Sequence, residues 1–355
     1  MIGWCKSLCK DPKAKKKDKK DKHGGKEDSK GKHKVKNVYT YSMTGQGKKN
    51  VEQDSASIFE LIEDNTIVRF YGVYDGHGDF GKEASWLANL EIEQFVRKNI
   101  KKILKLRDQK DYKEKVKKMF KQCYVDVQAK FLKNKKQYHQ SGTTAVSILQ
   151  IDQELFILNV GDSRAIMCNV EGGEISAMEL STDHKPFNPI EKERIEKSGG
   201  EIMPKEGTSG PLRVWKKDEE SPGLAVTRTL GDLLGHKIGI SSEPDIEYWK
   251  VMNDDYFLII ASDGVWDVMN SAEVVGFVIK ETDDLKKAAI QLVQASRSIW
   301  EYQNQLRRQA HMKNMFGKAI PLRANQAEKP GAIDDITAVI VVLNPKIDKA
   351  SLSNQ

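Results

Sequence analysis

Short apolar runs rich in β-branched and aromatic residues recur from about residue 37 onwards, and they limit the folds that the chain can adopt. Runs of six to eight residues with this composition are typical of β-strands, and several succeed one another without a helix between them. The predicted strands are residues 57–62, 67–74, 143–149, 155–160, 256–261 and 336–343. Paired strands with few intervening helices favour an α+β fold, in which sheets pack against each other or against helices.

Longer segments between these strands are predicted to be helices. Residues 82–104 and 112–132 place apolar side chains at the 3.6-residue spacing of a helix with one buried face. Residues 189–198 begin with a proline, which suits the first turn of a helix, and are followed by two glycines, which suit its end. Residues 284–305 are the fourth predicted helix.

The first 36 residues differ from the rest of the chain in charge. They hold 14 lysines against five acidic residues, a net charge of +9, whereas the remainder holds 44 basic and 46 acidic residues, a net charge of −2. Residues 1–36 have too few apolar side chains to offset the entropy of ordering, so they are predicted to be a disordered, solvated tail. Because no repeat or Pro/Gly-rich linker divides the remainder, we predict one domain over residues 37–345 and a C-terminal tail over residues 346–355.

Two other interpretations of the lysine-rich tail stay open. Residues 13–22 resemble a nuclear-localisation or nucleic-acid-binding patch, although no aromatic residues interleave to stack on bases. Cys5 and Cys9 lie just before the lysines, so acylation and attraction to anionic lipid together would supply the two signals that stable membrane attachment needs. Ile2 stands where N-myristoylation requires glycine. We expect no specific nucleic-acid partner, because the weakly acidic body implies no basic face that tracks a phosphate backbone.

Composition also bears on the compartment. No apolar run comes near the roughly 20 residues that span a bilayer, which argues against a transmembrane protein, and no signal-peptide pattern opens the chain. The four cysteines, none in a C-x-x-C pair, are too few for a disulfide framework. We therefore expect a soluble, cytoplasmic protein, with the tail as a candidate for nuclear or membrane targeting. Cys123 and Cys168 are predicted to be structural core residues.

Aspartates stand at the ends of the predicted strands. Asp75, Asp162 and Asp263 each come directly after an apolar run, and Asp334 precedes the last one. A single Asp-Gly after a strand is usually a hairpin turn. Several carboxylates at one edge of a buried sheet would repel each other unless a cation neutralised them. Oxygen ligands without a Cys or His cluster favour Mg²⁺ or Mn²⁺, and two such ions can activate water and bind a phosphoryl oxygen.

The segments around these aspartates resemble the motifs of the metal-dependent protein phosphatases, the PPM or PP2C family. The most specific is Tyr-Gly-Val-Tyr-Asp-Gly-His-Gly over residues 71–78, and the others come in the family's order. They are residues 141–145, 159–164, 182–186, 194–200, 224–232, 261–267 and 334–337. The resemblance covers roughly residues 37–345 and implies a sandwich of two antiparallel β-sheets flanked by α-helices.

The resemblance also implies roles for individual residues. Asp75 would bridge two metal ions, the carbonyl of Gly76 would bind one of them, and Asp263 and Asp334 would bind the other. Asp162 would join Asp263 in a looser third metal site. The remaining role is that of His77, which matches the family's proposed general acid for the leaving serine or threonine oxygen. A neutral-range pKa suits that role, and the alternative is a turn histidine that contacts only solvent.

The N-terminal motif departs from the family pattern. Many members carry an arginine followed four and five residues later by Glu-Asp, where this chain has Lys49, Gln53 and Asp54. Lys49 would attract phosphate as a point charge without the two-pronged geometry of arginine. Gln53 cannot act as a carboxylate, which would weaken a water-mediated metal contact, whereas Asp54 stays available as a metal ligand. By the same analogy, residues 185–215 would form a flap beside the cleft that influences substrate choice.

Four further side chains receive structural interpretations. His184 is expected to order its turn rather than bind a metal. Trp215, Trp266 and Trp300 are expected to be packing residues rather than stacking platforms for a ligand.

We predict a monomeric Mg²⁺- or Mn²⁺-dependent protein phosphatase that hydrolyses phosphoserine and phosphothreonine in phosphoprotein substrates. A metal-activated water would attack phosphorus without a phosphoenzyme. The alternative from another class is a catalytically inactive member that binds a phosphoprotein as a regulator. Retention of Asp75, Asp263 and Asp334 favours the enzyme. A nucleic-acid binder would rest on the tail alone.

Overall fold

Runs of strands are separated by groups of helices along the chain. The computed structural model describes residues 38–45, 51–205, 210–280, 284–316 and 333–344. The strands are β1 (Val38–Met43), β2 (Ser55–Glu63), β3 (Thr66–Tyr74), β4 (Gly76–His77), β5 (Gly142–Thr143), β6 (Ala145–Ile151), β7 (Glu154–Val160), β8 (Arg164–Glu171), β9 (Glu174–Glu179), β10 (Gly200–Pro204), β11 (Leu212–Lys216), β12 (Pro222–Leu224), β13 (Leu230–Gly231), β14 (Asp245–Lys250), β15 (Asp255–Ala261) and β16 (Ile336–Val342). The helices are α1 (Gly81–Leu106), α2 (Tyr112–Phe131), α3 (Pro189–Lys197), α4 (Asp263–Trp266), α5 (Ser271–Ile279) and α6 (Leu285–Phe316), with short 3₁₀ turns at Leu132–Asn134 and Gly235–Ile238.

Two five-stranded antiparallel sheets pack face to face. One has the strand order β1-β16-β15-β8-β9 and the other β14-β7-β6-β3-β2. Successive side chains of a strand point to opposite faces, so alternate residues line the space between the sheets. Tyr71 and Val73 from one sheet and Leu258 and Ile260 from the other belong to this central core.

Helices cover the outer face of each sheet. Phe70, on the opposite face of β3 from Tyr71, packs with Ile92 of α1 and Phe120 of α2. On the other side, Ile259 packs with residues of α5 and α6, among them Leu292. The chain is therefore an α+β sandwich with helices on both sides, as the sequence predicts.

The predicted elements agree with the structure apart from their ends. All six predicted strands are present, and the one at 143–149 is divided, because Thr144 separates β5 from β6. The helix predicted at 284–305 continues to Phe316. The strands at residues 38–43, 164–171 and 245–250 were not anticipated, and neither was the helix at 271–279.

A smaller unit lies between β9 and β14. Strands β10, β11 and β12 form a three-stranded sheet, and Ile195 of α3 packs against Val214 and Leu224 within it. This unit contains the region predicted as a flap.

Several sequence predictions fall outside the described residues. The lysine-rich tail with Cys5 and Cys9, the C-terminal tail and Lys49 are among them. In the part of the chain that the structure describes, no helix has both the length and the apolar character needed to cross a membrane.

Candidate metal centre

The predicted aspartates meet at one end of the sandwich because of strand register. In one sheet the end of β3 pairs with the start of β2, and the start of β6 pairs with the end of β7. Asp54, Asp75 and Asp162 therefore flank neighbouring strand ends. In the other sheet Ala261 pairs with Ala338, which brings the segments of Asp263 and Asp334 together in the same way.

A hydrogen bond joins these two sets of aspartates. The Ser262 hydroxyl, from the sheet that contains β15, donates to Oδ2 of Asp54, beside the sheet that contains β2, at 2.8 Å. The backbone N–H of Thr337 in turn donates to the Ser262 hydroxyl at 3.0 Å. The ends of both sheets thus share one polar site.

The clustered carboxylates affect one another's ionisation. Burial raises the pKa of Asp75, and the charges of Asp54, Asp263, Asp334 and Asp162 raise it further. Each carboxylate makes ionisation of the others less favourable. Uncompensated like charges of this kind call for a cation.

The other cluster members respond in the same direction. Burial and then Asp335 raise the pKa of Asp54, and burial and then Asp162 raise that of Asp263. The Asp334 side chain is accessible from solvent, yet surrounding protein displaces enough water to raise its pKa to about 6. The accessibility of Asp334 leaves the cluster open to ions from solution.

Two buried oxygens of the cluster have no partner among the described residues. These are Oδ1 of Asp54 and Oδ1 of Asp263. Buried acceptors without a partner are costly, and hard oxygens of this kind are the ligands that Mg²⁺ and Mn²⁺ prefer. Within the described ranges, no three His, Cys, Asp or Glu side chains form a ready-made metal cage. The donor set thus fits a hard cation chemically, and the carboxylates would have to draw together around it.

Gly76 directly follows Asp75 and is buried in β4. A Cβ at this position would lie 2.2 Å from the carbonyl oxygen of Gly81 and 2.6 Å from that of Gln53. Any larger residue would push the metal-site strand away from α1. The close approach explains why glycine stands beside Asp75.

Gln53 has a structural role that its sequence position did not reveal. Its side-chain amide donates to the carbonyl oxygen of Gly78 at 2.9 Å, and its backbone N–H donates to Oδ2 of Asp335 at 2.6 Å. A glutamate could not make the first of these bonds when ionised. The departure from the family pattern therefore fixes the turn after His77.

Lys185 is a neighbour of the cluster that the sequence analysis included in a motif and in the flap without giving it a role. Its ammonium group donates to the buried carboxylate of Asp162, and its charge lowers the pKa of Asp263. Burial lowers the pKa of Lys185 and the charge of Asp162 raises it, with a net upward shift. The protein's own cation therefore already neutralises Asp162.

His77 contacts a carboxylate that the sequence analysis did not assign. Its Nε2 lies 2.6 Å from Oδ2 of Asp232, which is fully buried, while the His77 side chain is 30% exposed. Burial lowers the pKa of His77, but the charge and hydrogen bond of Asp232 raise it, as do the charges of Asp162 and Asp334, and the net shift is upward. His77 is therefore not a turn histidine that contacts only solvent.

His184 and the two described cysteines have the structural surroundings that the sequence predicts. His184 orders its turn, since its Nδ1 accepts from the backbone N–H of Gly161 at 3.0 Å and its Nε2 contacts Asp245. Cys123 and Cys168 are buried in the core.

The three tryptophans pack as expected. The indole N–H groups of Trp266 and Trp300 donate to the carbonyl oxygens of Ala261 and Gly264, which bracket Asp263. That of Trp215 donates to the carbonyl oxygen of Met203 inside the flap region.

The chain is similar in sequence to known proteins. The family model described as protein phosphatase 2C matches residues 41–300. The Arabidopsis thaliana protein "Probable protein phosphatase 2C 73" is 33% identical over 270 residues, which are 72% of this chain and 72% of that protein. "Probable protein phosphatase 2C 34" from the same plant is 30% identical over 319 residues, which are 86% of this chain and 81% of that one.

Solved structures show the same fold. The crystal structure of a serine-threonine phosphatase 2C from Toxoplasma gondii matches with a TM-score of 0.60 at 21% identity, over 86% of this chain and 98% of that chain. At this level of identity the likeness concerns the sandwich architecture.

Proposed function

The chain belongs to the protein phosphatase 2C family, and from that premise we propose that it is a Mg²⁺- or Mn²⁺-dependent phosphatase acting on phosphoserine and phosphothreonine in proteins. The observation that carries the proposal is the cluster of mutually repelling aspartates at one end of the sandwich, with buried oxygens that lack partners among the described residues. A site of this kind is costly to the fold and is explained by a bound cation.

We assign the metal ligands from this cluster. Asp75 and the Gly76 carbonyl would hold one ion, and Asp75, Asp263 and Asp334 the other. Asp54 would contribute its unpaired Oδ1. When bound, the ions would supply a water of lowered pKa and positive charge for the phosphoryl oxygens.

Asp162 differs from the other proposed ligands because Lys185 already neutralises it. We therefore assign Asp162, with Asp263, to a third and looser site, which requires the ammonium group to move away. The two-ion site does not depend on that movement.

The protein's own acid in the reaction is His77. Its partly exposed ring would donate a proton to the serine or threonine oxygen as the phosphorus–oxygen bond breaks. The ions would supply the attacking water and His77 the proton for the leaving oxygen, so no covalent intermediate with the protein is needed.

Phosphate release from a phosphothreonine peptide tests the proposal. We expect turnover with Mn²⁺ or Mg²⁺, none with EDTA, and none for Asp263→Asn, whereas Asp126→Asn on the exposed face of α2 keeps full activity. A folded protein that binds the phosphopeptide without turnover would instead support the regulatory alternative. The tail's role in location stays a prediction, tested by fractionating full-length and tail-deleted protein from cells.

A further inference from the structure

We infer that Asp232 is a positioning residue for His77. The Asp232 carboxylate fixes the imidazole ring of His77 so that Nε2 faces the protein and Nδ1 faces the leaving oxygen. The inference rests on the proposed function, since it assigns a partner to the proposed acid. Asp232 lies inside a sequence motif, yet neither the motif nor the metal centre gives it a role.

The small sheet β13-β5-β4 brings the two residues together. His77 in β4 pairs with Gly142 in β5, and Gly142 pairs with Gly231 in β13. Asp232 comes directly after β13, so its side chain reaches His77 past Gly142. A Cβ on Gly142 would lie 2.2 Å from Oδ2 of Asp232, so only glycine leaves room for the carboxylate that contacts His77.

The backbone holds Asp232 in a conformation that costs energy. Its φ of 41° lies in the left-handed region, which is unusual for a residue other than glycine. The backbone N–H of Asp232 donates to the carbonyl oxygen of Ser141 at 2.9 Å, and its own carbonyl accepts from the backbone N–H of His236 at 3.2 Å. Strain that surrounding bonds maintain in this way points to a functional constraint at the residue.

The preceding residue is held just as firmly. The buried side chain of Gln128 in α2 donates to the carbonyl oxygen of Gly231 at 3.0 Å and accepts from its N–H at 2.8 Å. Both bonds hold the end of β13 against the core helix. The position of the Asp232 carboxylate therefore depends on the core and not on a loop.

His77 is the only side chain that forms an ion pair with Asp232 among the described residues. No lysine or arginine in that part of the chain bonds to the carboxylate, and its Oδ1 has no hydrogen-bond partner there. A fully buried carboxylate of this kind gains its stabilisation mainly from the ring. Rotating the ring away would leave the charge unpaired, so the contact holds one ring orientation.

With Nε2 bonded to Asp232, each proton and each bond in the proposed transfer from His77 is accounted for. The Nδ1–H bond of the protonated ring breaks as its proton passes to the serine or threonine oxygen, while the phosphorus–oxygen bond breaks. The Nε2–H bond stays intact and continues to donate to Asp232. The neutral ring then recovers a proton from solvent through its exposed side.

Leaving-group dependence tests the inference, because a poor leaving group needs the acid and a good one does not. We compare a phosphothreonine peptide with p-nitrophenyl phosphate for the wild type, His77→Gln and Asp232→Asn. Asparagine tolerates a positive φ, so the backbone of the last variant is preserved. We expect its kcat to fall about 10²-fold on the peptide and only about threefold on p-nitrophenyl phosphate.

A matched control separates positioning from folding. Asp245 contacts Nε2 of His184, a histidine outside the proposed reaction, in the same carboxylate–imidazole arrangement. Asp245→Asn is expected to change both substrates by the same factor. Equal loss on both substrates for Asp232→Asn, beside unequal loss for His77→Gln, would overturn the inference and leave the proposed function standing. Equal loss for His77→Gln would instead refute the proposed acid.

A measurement on the wild type covers the case in which Asp232→Asn does not fold. Long-range ¹H–¹⁵N spectra report which ring nitrogen of His77 carries the proton in the neutral ring, with His77→Gln used for assignment. We expect the proton on Nε2, donated to Asp232. A neutral ring protonated on Nδ1 would contradict the inference.

Discussion

Two acidic side chains in this protein, Glu191 and Asp75, are both buried but have opposite electrostatic surroundings. Glu191 in α3 is 2% exposed and is surrounded by donors: Arg194 and Arg228 bond both of its oxygens, and the Thr227 hydroxyl donates at 2.7 Å. Burial would raise its pKa, but the hydrogen bonds from Arg194, Arg228 and Thr227 lower it to about 2. Asp75 is also buried, yet its neighbours are other carboxylates, and its pKa is raised.

The difference separates a structural site from a binding site. At Glu191 the folded protein itself supplies the opposite charge, so the site is complete and holds the flap region to the body. At Asp75 the neighbouring charges are of like sign, and under the proposed function a metal ion from solution compensates them. Burial and charge alone do not distinguish the two; the sign of the neighbours does.

The largest expected effect comes from Asp75→Asn. Removing the central carboxylate should lower kcat by about 10³-fold or more, the loss expected when a group that acts on the transition state is removed. Because the change also removes repulsion, the metal-free protein should be no less stable than the wild type. Phosphopeptide turnover and urea unfolding in EDTA measure the two quantities. Loss of stability together with activity would show that the cluster is structural, like Glu191.

Glu191→Gln should give the opposite pattern. It leaves two arginines without their carboxylate, which costs about 3 kcal/mol of unfolding free energy, the lower end of the range for a broken buried pair because Arg194 is 30% exposed. Urea unfolding measures this loss. Glu193→Gln on the exposed side of the same helix removes a bond to Lys197 and should leave the unfolding midpoint unchanged. A midpoint for Glu191→Gln that matches this control would mean that the Glu191 site adds nothing to the fold.

The sequence predicted one of these sites and not the other. Asp75, Asp162, Asp263 and Asp334 stand beside strongly apolar strands, and local patterns report strand ends well. The partners of Glu191 in the 224–232 motif lie 36 and 37 residues away, and Asp232 lies 155 residues from His77. Such contacts depend on register and on which loops meet, neither of which a local pattern contains.

The fold shows the same limit. Strand β3 was predicted because its apolar run is continuous, whereas β9 (Glu-Ile-Ser-Ala-Met-Glu) was not, since it lies at a sheet edge and is half-exposed. Strand β1 likewise gains its place only by pairing with β16, almost 300 residues later. Strands β1 and β9 are thus fixed by their pairing partners more than by their own burial, which is why their sequences alone did not predict them.

The free energy of unfolding, measured as a function of pH, should show the separate effects of the Glu191 site and of the aspartate cluster. The folded pKa of Glu191 lies below its usual 4.5, so its contribution is present above pH 4.5 and is lost as the pH falls towards 2. The folded pKa of Asp334 lies above its usual 3.8, so in metal-free protein stability falls as the pH rises from 3.8 to about 6, and Asp54, Asp75 and Asp263 add in the same direction. We expect the metal-free protein to be most stable between the acidic range in which Glu191 becomes protonated and the higher range in which the aspartates ionise.

Added metal should remove only the loss of stability that comes from ionisation of the aspartates. At 100 times its dissociation constant, Mn²⁺ should stabilise the protein by about 2.7 kcal/mol at pH 7, and by less at pH 5, where protons compete for the carboxylates. Thermal unfolding with Mn²⁺ and with EDTA measures the difference. Glu191→Gln should still be stabilised by Mn²⁺ but should no longer show the Glu191-dependent loss of stability at low pH. Asp75→Asn should keep that loss at low pH and should no longer be stabilised by Mn²⁺. A metal effect of equal size at both pH values would argue against binding at the cluster.

The smallest expected effect concerns Gln53, which lies beside the cluster but behaves like the structural site. Its amide donates to the Gly78 carbonyl at 2.9 Å. Gln53→Glu replaces this donor with a carboxylate, so the metal-free protein should lose about 1 kcal/mol or less. The added negative charge should tighten Mn²⁺ binding by about tenfold. Gln53→Ala loses the same hydrogen bond without adding charge. In EDTA it should therefore unfold no more easily than Gln53→Glu, whose added charge also repels the aspartates, and in a Mn²⁺ titration of the unfolding midpoint only Gln53→Glu should bind more tightly than the wild type. If both variants bind Mn²⁺ as the wild type does, position 53 belongs with Glu191, as part of the fold, and the missing carboxylate has no consequence for the metal centre.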